Sequence, residues 1–105
     1  MAELTLAEGL GENATQTATD IILKKADLGI TATTATSDQV LAAIAIKAKA
    51  THTETQFNTE ADQNIYVSDG FKSFITKNDE SYILDQITIN LAKPDTGATL
   101  NPNDY

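Results

Sequence analysis

His52 is the one histidine in the 105-residue chain, and it stands two residues from Glu54. On an extended strand the two side chains would share a face. A general base needs an orienting partner and a pocket. The surrounding Thr51-His52-Thr53-Glu54-Thr55 instead has the polar alternation of an exposed strand, so a solvated surface histidine is expected. Threonine is abundant, yet no G-x-S-x-G elbow places a hydroxyl beside a base. No G-x-G-x-x-G or G-K-[ST] run offers a phosphate cradle. The 15 carboxylates raise the question of calcium, but the spaced-ligand loop D-x-[DN]-x-[DN]-G is absent. Asp62-Gln63-Asn64 and Asn78-Asp79-Glu80 read as oxygen-rich turns. A glycosidase-type carboxylate pair has no sugar platform beside it: tryptophan is absent, and Tyr66, Tyr82 and Phe74 are assigned to the core. The expectation is a non-enzyme with no catalytic residue, metal or cofactor.

Composition points the same way. The net charge is −8, and all seven basic residues are lysines. Neutralising phosphates needs a basic patch, and base readout favours arginine forks, so nucleic acid is not an expected partner. With no cysteine, neither a disulfide framework nor a thiolate metal site exists. No apolar run approaches the ~20 residues of a membrane span. The opening MAELTLAEGLGEN lacks a basic n-region and a continuous apolar core. Synthesis in a cytoplasm, with no membrane partner, is expected. A chain of this length makes one domain that buries roughly 65% of its extended surface, and it has no staples to assist it.

The elements that would position these residues centre on Ser81–Lys93, SYILDQITINLAK, the clearest strand by period-two alternation. Before it, residues 1–14 read as an N-terminal arm anchored by Leu4, Leu6 and Leu10. Thr15–Lys25 reads as a strand, with a turn at Asp27 and Gly29. Thr36 and Gln39 form a capping box for a helix over about 37–50, with Asp38 early and Lys47 and Lys49 late, as the helix dipole favours. Val40, Leu41, Ile44 and Ala48 make its apolar stripe. Thr51–Phe57 is expected to be extended and Asn58–Asn64 a loop. Ile65–Val67 and Phe71–Lys77 form a hairpin across Asp69-Gly70, the strongest short turn signal in the chain. A second turn at Asn78-Asp79-Glu80 leads into the central strand. The turn-rich residues 94–105 are a C-terminal tail. The predicted fold is α+β: a mainly antiparallel sheet of about four to five strands, packed by one helix, over a single domain at 15–93.

Those two turns set a register. Ile65 falls opposite Phe74, Tyr66 opposite Ser73, Ile75 opposite Ile83, Phe74 opposite Leu84 and Phe71 opposite Ile87. One face then carries Tyr66, Phe71, Ile75, Ile83 and Ile87, and the other Ile65, Val67, Phe74 and Leu84. An antiparallel sheet with one wet face shows polar residues on it. Here both faces are apolar, and one helix covers only one. The second face calls for the N-terminal strand or another subunit.

In texture, a short, acidic, cysteine-free, Ala/Thr-rich chain with extended ends, the sequence resembles small structural proteins of tailed bacteriophages: capsid decoration (cement) proteins and tail or baseplate subunits. The resemblance implies a virion protein, made in the host cytoplasm, whose partners are copies of itself and other structural proteins of the particle. The residues assigned to such contacts are Leu4, Leu6 and Leu10 in the arm, Leu100 and Tyr105 in the tail, and the sheet face of Ile65, Val67, Phe74 and Leu84. The alternative is a monomeric module that binds a peptide or glycan through the loops at 58–64 and 78–80.

Overall fold

Two long strands dominate the molecule. The computed structural model describes residues 3–93 and 99–105. In it β3 (Ile65–Lys77) and β4 (Glu80–Leu91) form an antiparallel hairpin closed by Asn78 and Asp79. Both turn residues have positive φ, 53° and 64°. That is the pattern of a type I′ turn, whose twist matches that of the strands it joins. Thirteen residues at about 3.3 Å each make a ribbon roughly 40 Å long, and the molecule measures 48 × 33 × 26 Å. Its radius of gyration is 16.0 Å, where a compact chain of this length has about 13 Å.

The rest of the chain gathers at the open end of the ribbon. In order come α1 (Leu6–Leu10), a miniature hairpin of β1 (Thr15–Gln16) and β2 (Ile21–Ile22), α2 (Lys25–Leu28), α3 (Ser37–Thr51) and α4 (Glu54–Thr59). After the ribbon, Pro102–Asp104 forms a short 3-10 turn. The fold is therefore α+β, with the strands divided between two two-stranded sheets. The helix expected at 37–50 is α3, capped by Thr36 and Gln39 as the capping box requires. Its buried residue is Ala43, while Leu41 of the expected stripe is 68% exposed.

Several expectations are corrected. Residues 3–14 do not extend as an arm. The Thr5 hydroxyl accepts from the Glu8 N–H while the Glu8 carboxylate accepts from the Thr5 N–H, so a capping box starts α1, which packs on α3. Thr51–Phe57 is not extended. Thr51 ends α3, His52 caps it, and Thr53 caps α4 by accepting from the Gln56 N–H. Thr15–Lys25 folds back on itself because Thr17–Asp20 forms a turn, with the Thr17 hydroxyl accepting from the N–H groups of Thr19 and Asp20.

Asp69-Gly70 is not a turn. Strand β3 runs through it, and the register slips there so that Gly70 and Phe71 stand against Gln86. The glycine is what lets the bulge close: a Cβ on Gly70 would lie 2.7 Å from Gln86 Cβ and 3.1 Å from its carbonyl oxygen. The expected turn at 78–80 is a two-residue one, Asn78-Asp79, so the register slips by one and Ile75 pairs with Tyr82, Phe74 with Ile83 and Ser73 with Leu84. Of the tail, the turn signals at Pro94 and Gly97 lie outside the described residues, as do the first two residues of the expected arm.

The core is small. Among the described residues, Val67 (5% exposed) and Ala43 are the apolar residues that count as buried, and none of the larger side chains is fully enclosed. Gln63, also buried, ties the open end together. Its Oε1 accepts from the Leu4 N–H at 3.0 Å, and its Nε2 donates to the Ile65 carbonyl at 3.1 Å.

Candidate assembly surface

Cross-strand partners share a face, so the ladder assigns every ribbon side chain to one of two sides. One side carries Ile65, Val67, Asp69, Lys72 and Phe74 with Leu91, Ile89, Ile87, Asp85 and Ile83. The other carries Tyr66, Ser68, Ser73 and Ile75 with Asn90, Thr88, Leu84 and Tyr82. Both sides carry exposed apolar residues, Phe74, Ile83 and Ile89 on one and Ile75, Tyr82 and Leu84 on the other.

Helices α3 and α4 pack on β3 near its start. There the Phe57 and Tyr66 rings meet at 5.0 Å between centroids, and the Val67 N–H donates to the His52 carbonyl at 2.7 Å. Lys49 and Asp69 form an ion pair at 2.6 Å, in the exposed class that contributes under about 1 kcal/mol. Toward the turn the ribbon stands free. Phe71 is 83% exposed, Phe74 73% and Ile83 58%; at the base, opposite Val67, Ile89 is 53% exposed. Between α3 and β4 lies an open trough of about 930 Å³, with Leu41, Ala42 and Ile46 on one wall and Ile83 and Ile87 on the other.

The residues assigned to contacts from the sequence are dispersed. Leu4, Leu6 and Leu10 are half-buried inside their own chain. Ile65, Val67 and Phe74 do share a face, but Val67 is buried at the base while Phe74 is bare near the tip. Leu84 lies on the opposite face, because its partner is Ser73. Leu100 and Tyr105 border a cleft of about 340 Å³ with Ile65, Leu91 and Pro102, and Lys93 holds this segment through the Thr99 carbonyl and the Asp104 carboxylate. Phe71, Ile89, Leu41 and Ile46 were not singled out for contacts. Their signal was an apolar side chain outside any single helix-covered face.

His52 is not the solvated residue expected from its neighbours. It is half-buried, its ring lies against Gly9, and its Nδ1 is 3.0 Å from the Thr51 hydroxyl. Loss of solvent lowers its pKa below the ordinary 6.5, against a smaller opposing effect of the hydrogen bond with Ala48. Among the described residues, no group of three or more His, Asp or Glu side chains is placed to share a metal ion, and no helix is long and apolar enough to cross a membrane. What the ribbon offers is an exposed surface rich in apolar side chains, with the outer edge of β4 unpaired among the described residues. No family model, curated protein or solved structure matches the chain.

Proposed function

We propose that this chain is a non-enzymatic structural subunit that works by self-association, with its β3–β4 ribbon as the contact element. The observation that carries the reading is surface area. The chain exposes 7972 Å², whereas a folded monomer of 11.2 kDa is expected to expose about 5,700 Å². The excess of about 2,300 Å² per chain is the amount one partner contributes to a large obligate interface. Exposed apolar side chains gathered on one element, here Phe71, Phe74, Ile83 and Ile89 of the ribbon, mark an interaction site. The contact sits on the ribbon rather than on the terminal segment, because Leu4, Leu6 and Leu10 are already engaged within their own chain.

A particle made of many such subunits, a virion in the first instance, is the setting proposed. It rests on the resemblance in composition and on a surface that calls for copies. Sedimentation of the intact chain tests the reading directly. An oligomer is expected at micromolar concentration, and replacing Phe74 and Ile83 together by aspartate should move it toward monomer. A wild-type chain that sediments at 11.2 kDa across the accessible concentration range would overturn it.

A further inference from the structure

Resting on that reading, we infer how two copies meet: the outer edge of β4 pairs with the same edge of a second copy, antiparallel, about a twofold axis through Gln86. The two ribbons then form one continuous four-stranded sheet.

The edge itself is the first observation. Val67 sends its N–H outward to the His52 carbonyl, and Val67 pairs with Ile89. The Val67–Ile89 pair is therefore one that makes no mutual ladder bonds, and Ile89 also points its N–H and C=O outward. The bulge adds its residue to β3, so alternation along β4 is unbroken, and Ser81, Ile83, Asp85, Ile87 and Leu91 point outward likewise. None of these backbone groups has a hydrogen-bond partner among the described residues. Natural edges are guarded by lysine, proline, bulges or a covering element. The outer edge of β3 has such guards: Lys72, Lys77, the bulge at Gly70, and the bond to His52. Strand β4 contains no lysine, no proline and no bulge over Glu80–Leu91.

Charge selects the occupant. The chain carries a net −8, so most surfaces of one copy repel another. The stretch from Ser81 to Leu91 carries a single charged side chain, Asp85, which already has Lys72 at 3.6 Å. This edge offers a basic partner one carboxylate that is already paired, and a second copy meets little repulsion there provided the two Asp85 side chains are not set opposite each other.

Register follows from self-complementarity. Centring on Asp85 would set two carboxylates directly opposite, which destabilises a strand pair. Centring on Gln86 sets Asp85 against the second copy's Ile87, Ile83 against Ile89, Leu84 against Thr88 and Tyr82 against Asn90. Every outward group from Ser81 to Leu91 then finds a mate. Ile83 and Ile89, both exposed in the single chain, become a cross-strand β-branched pair beside the trough.

The chain has no cysteine, so Gln86→Cys introduces one thiol per copy. On the axis the two Cα atoms would stand about 4.5 Å apart, within the ~4.4–6.8 Å span that a disulfide bridges. Mild oxidation should convert Gln86→Cys almost fully to a covalent dimer, and Thr88→Cys at least about tenfold more slowly, because Thr88 faces Leu84 rather than itself. Asp85→Pro removes an outward N–H without breaking the β3 ladder, a substitution that edge strands accept. It should yield a monomer that keeps its helical circular dichroism. If the protein self-associates but Gln86→Cys and Thr88→Cys cross-link alike, or Asp85→Pro leaves the oligomer intact, the β4 pairing is wrong and self-association stands. Open-ended polymers from the wild-type chain would overturn the closed pair. A wild-type monomer would overturn both.

Discussion

The imidazole of His52 occupies the space where Gly9 lacks a side chain: a Cβ on Gly9 would lie 2.7 Å from His52 Cε1. The same contact is drawn tight by the Thr51 hydroxyl, which donates to the Gly9 carbonyl at 2.7 Å. This contact holds α1 on the end of α3. Gly9→Ala should improve local helix propensity yet destabilise the protein by about 1–2 kcal/mol, since overpacking a closed contact outweighs the gain. His52→Ala in the same chain should recover part of that loss. Denaturant titration of the two single variants and the double variant reads the coupling.

Stability should depend on pH through the same residue. Burial holds the folded-state pKa of His52 below 6.5, so the unfolded chain binds the proton more readily. Its contribution is fully present above pH 6.5 and is lost as pH falls below that value toward the folded-state pKa. Glu8 acts with the same sign at lower pH. Its carboxylate accepts from the Thr5 N–H and then from the Thr5 hydroxyl, which lowers its pKa from 4.5. Its contribution is lost as pH falls below 4.5. Melting temperature followed downward from pH 7 should therefore decline, and His52→Gln should flatten the upper part of that decline.

Gln63 joins the first described residues to the start of the ribbon through one accepting and one donating bond. Truncation to alanine leaves the Leu4 N–H and the Ile65 carbonyl without partners, at a cost of about 1–3 kcal/mol. Hydrogen exchange offers a site-specific reading. The Leu4 amide should lose protection in Gln63→Ala and keep it in Gln63→Glu, whose carboxylate still accepts.

The turn gives a prediction of opposite sign. Asp79 holds a left-handed conformation at φ 64°, which costs a residue with a Cβ more than it costs glycine. Asp79→Gly creates the Asn-Gly pair that this turn type favours. A gain of about 0.5 kcal/mol is expected, equivalent to a rise in Tm of roughly 2–4 °C for a chain of this size. Scanning calorimetry at fixed protein concentration would show it.

Much of the fold was legible where local chemistry spoke alone. The capping box at Thr36 and Gln39 located α3, and the alternation of Ser81–Lys93 located β4. The same Thr-x-x-Glu/Gln spacing recurs at Thr5–Glu8 and Thr53–Gln56, and both sites start helices. That signal was present and was outweighed by glycines in the first case and by β-branched threonines in the second. That the chain runs straight through Asp69-Gly70 and reverses at Asn78-Asp79 is not a local matter. Either dipeptide can reverse a chain, and the preference for the longer ladder is a sum over the whole ribbon. The turn at Asn78-Asp79 has two residues rather than three, and that one-residue slip is why Leu84 pairs with Ser73 and not with Phe74. Both faces carry an apolar surplus in either register, because it depends on composition and not on pairing.

The type I′ turn also fixes the order of events when this chain folds. The ladder of Ile65–Lys77 with Glu80–Leu91 closes outward from the turn, starting at Lys77–Glu80 and ending at Ile65–Leu91, and β-hairpins form within about 1–10 μs. Ribbon formation is therefore intramolecular and quick, whereas under the proposed self-association its covering would be a bimolecular encounter whose rate scales with concentration. Between the two events each newly made chain presents a bare, unguarded strand. Dilution should lengthen that interval, and crowded local synthesis should shorten it.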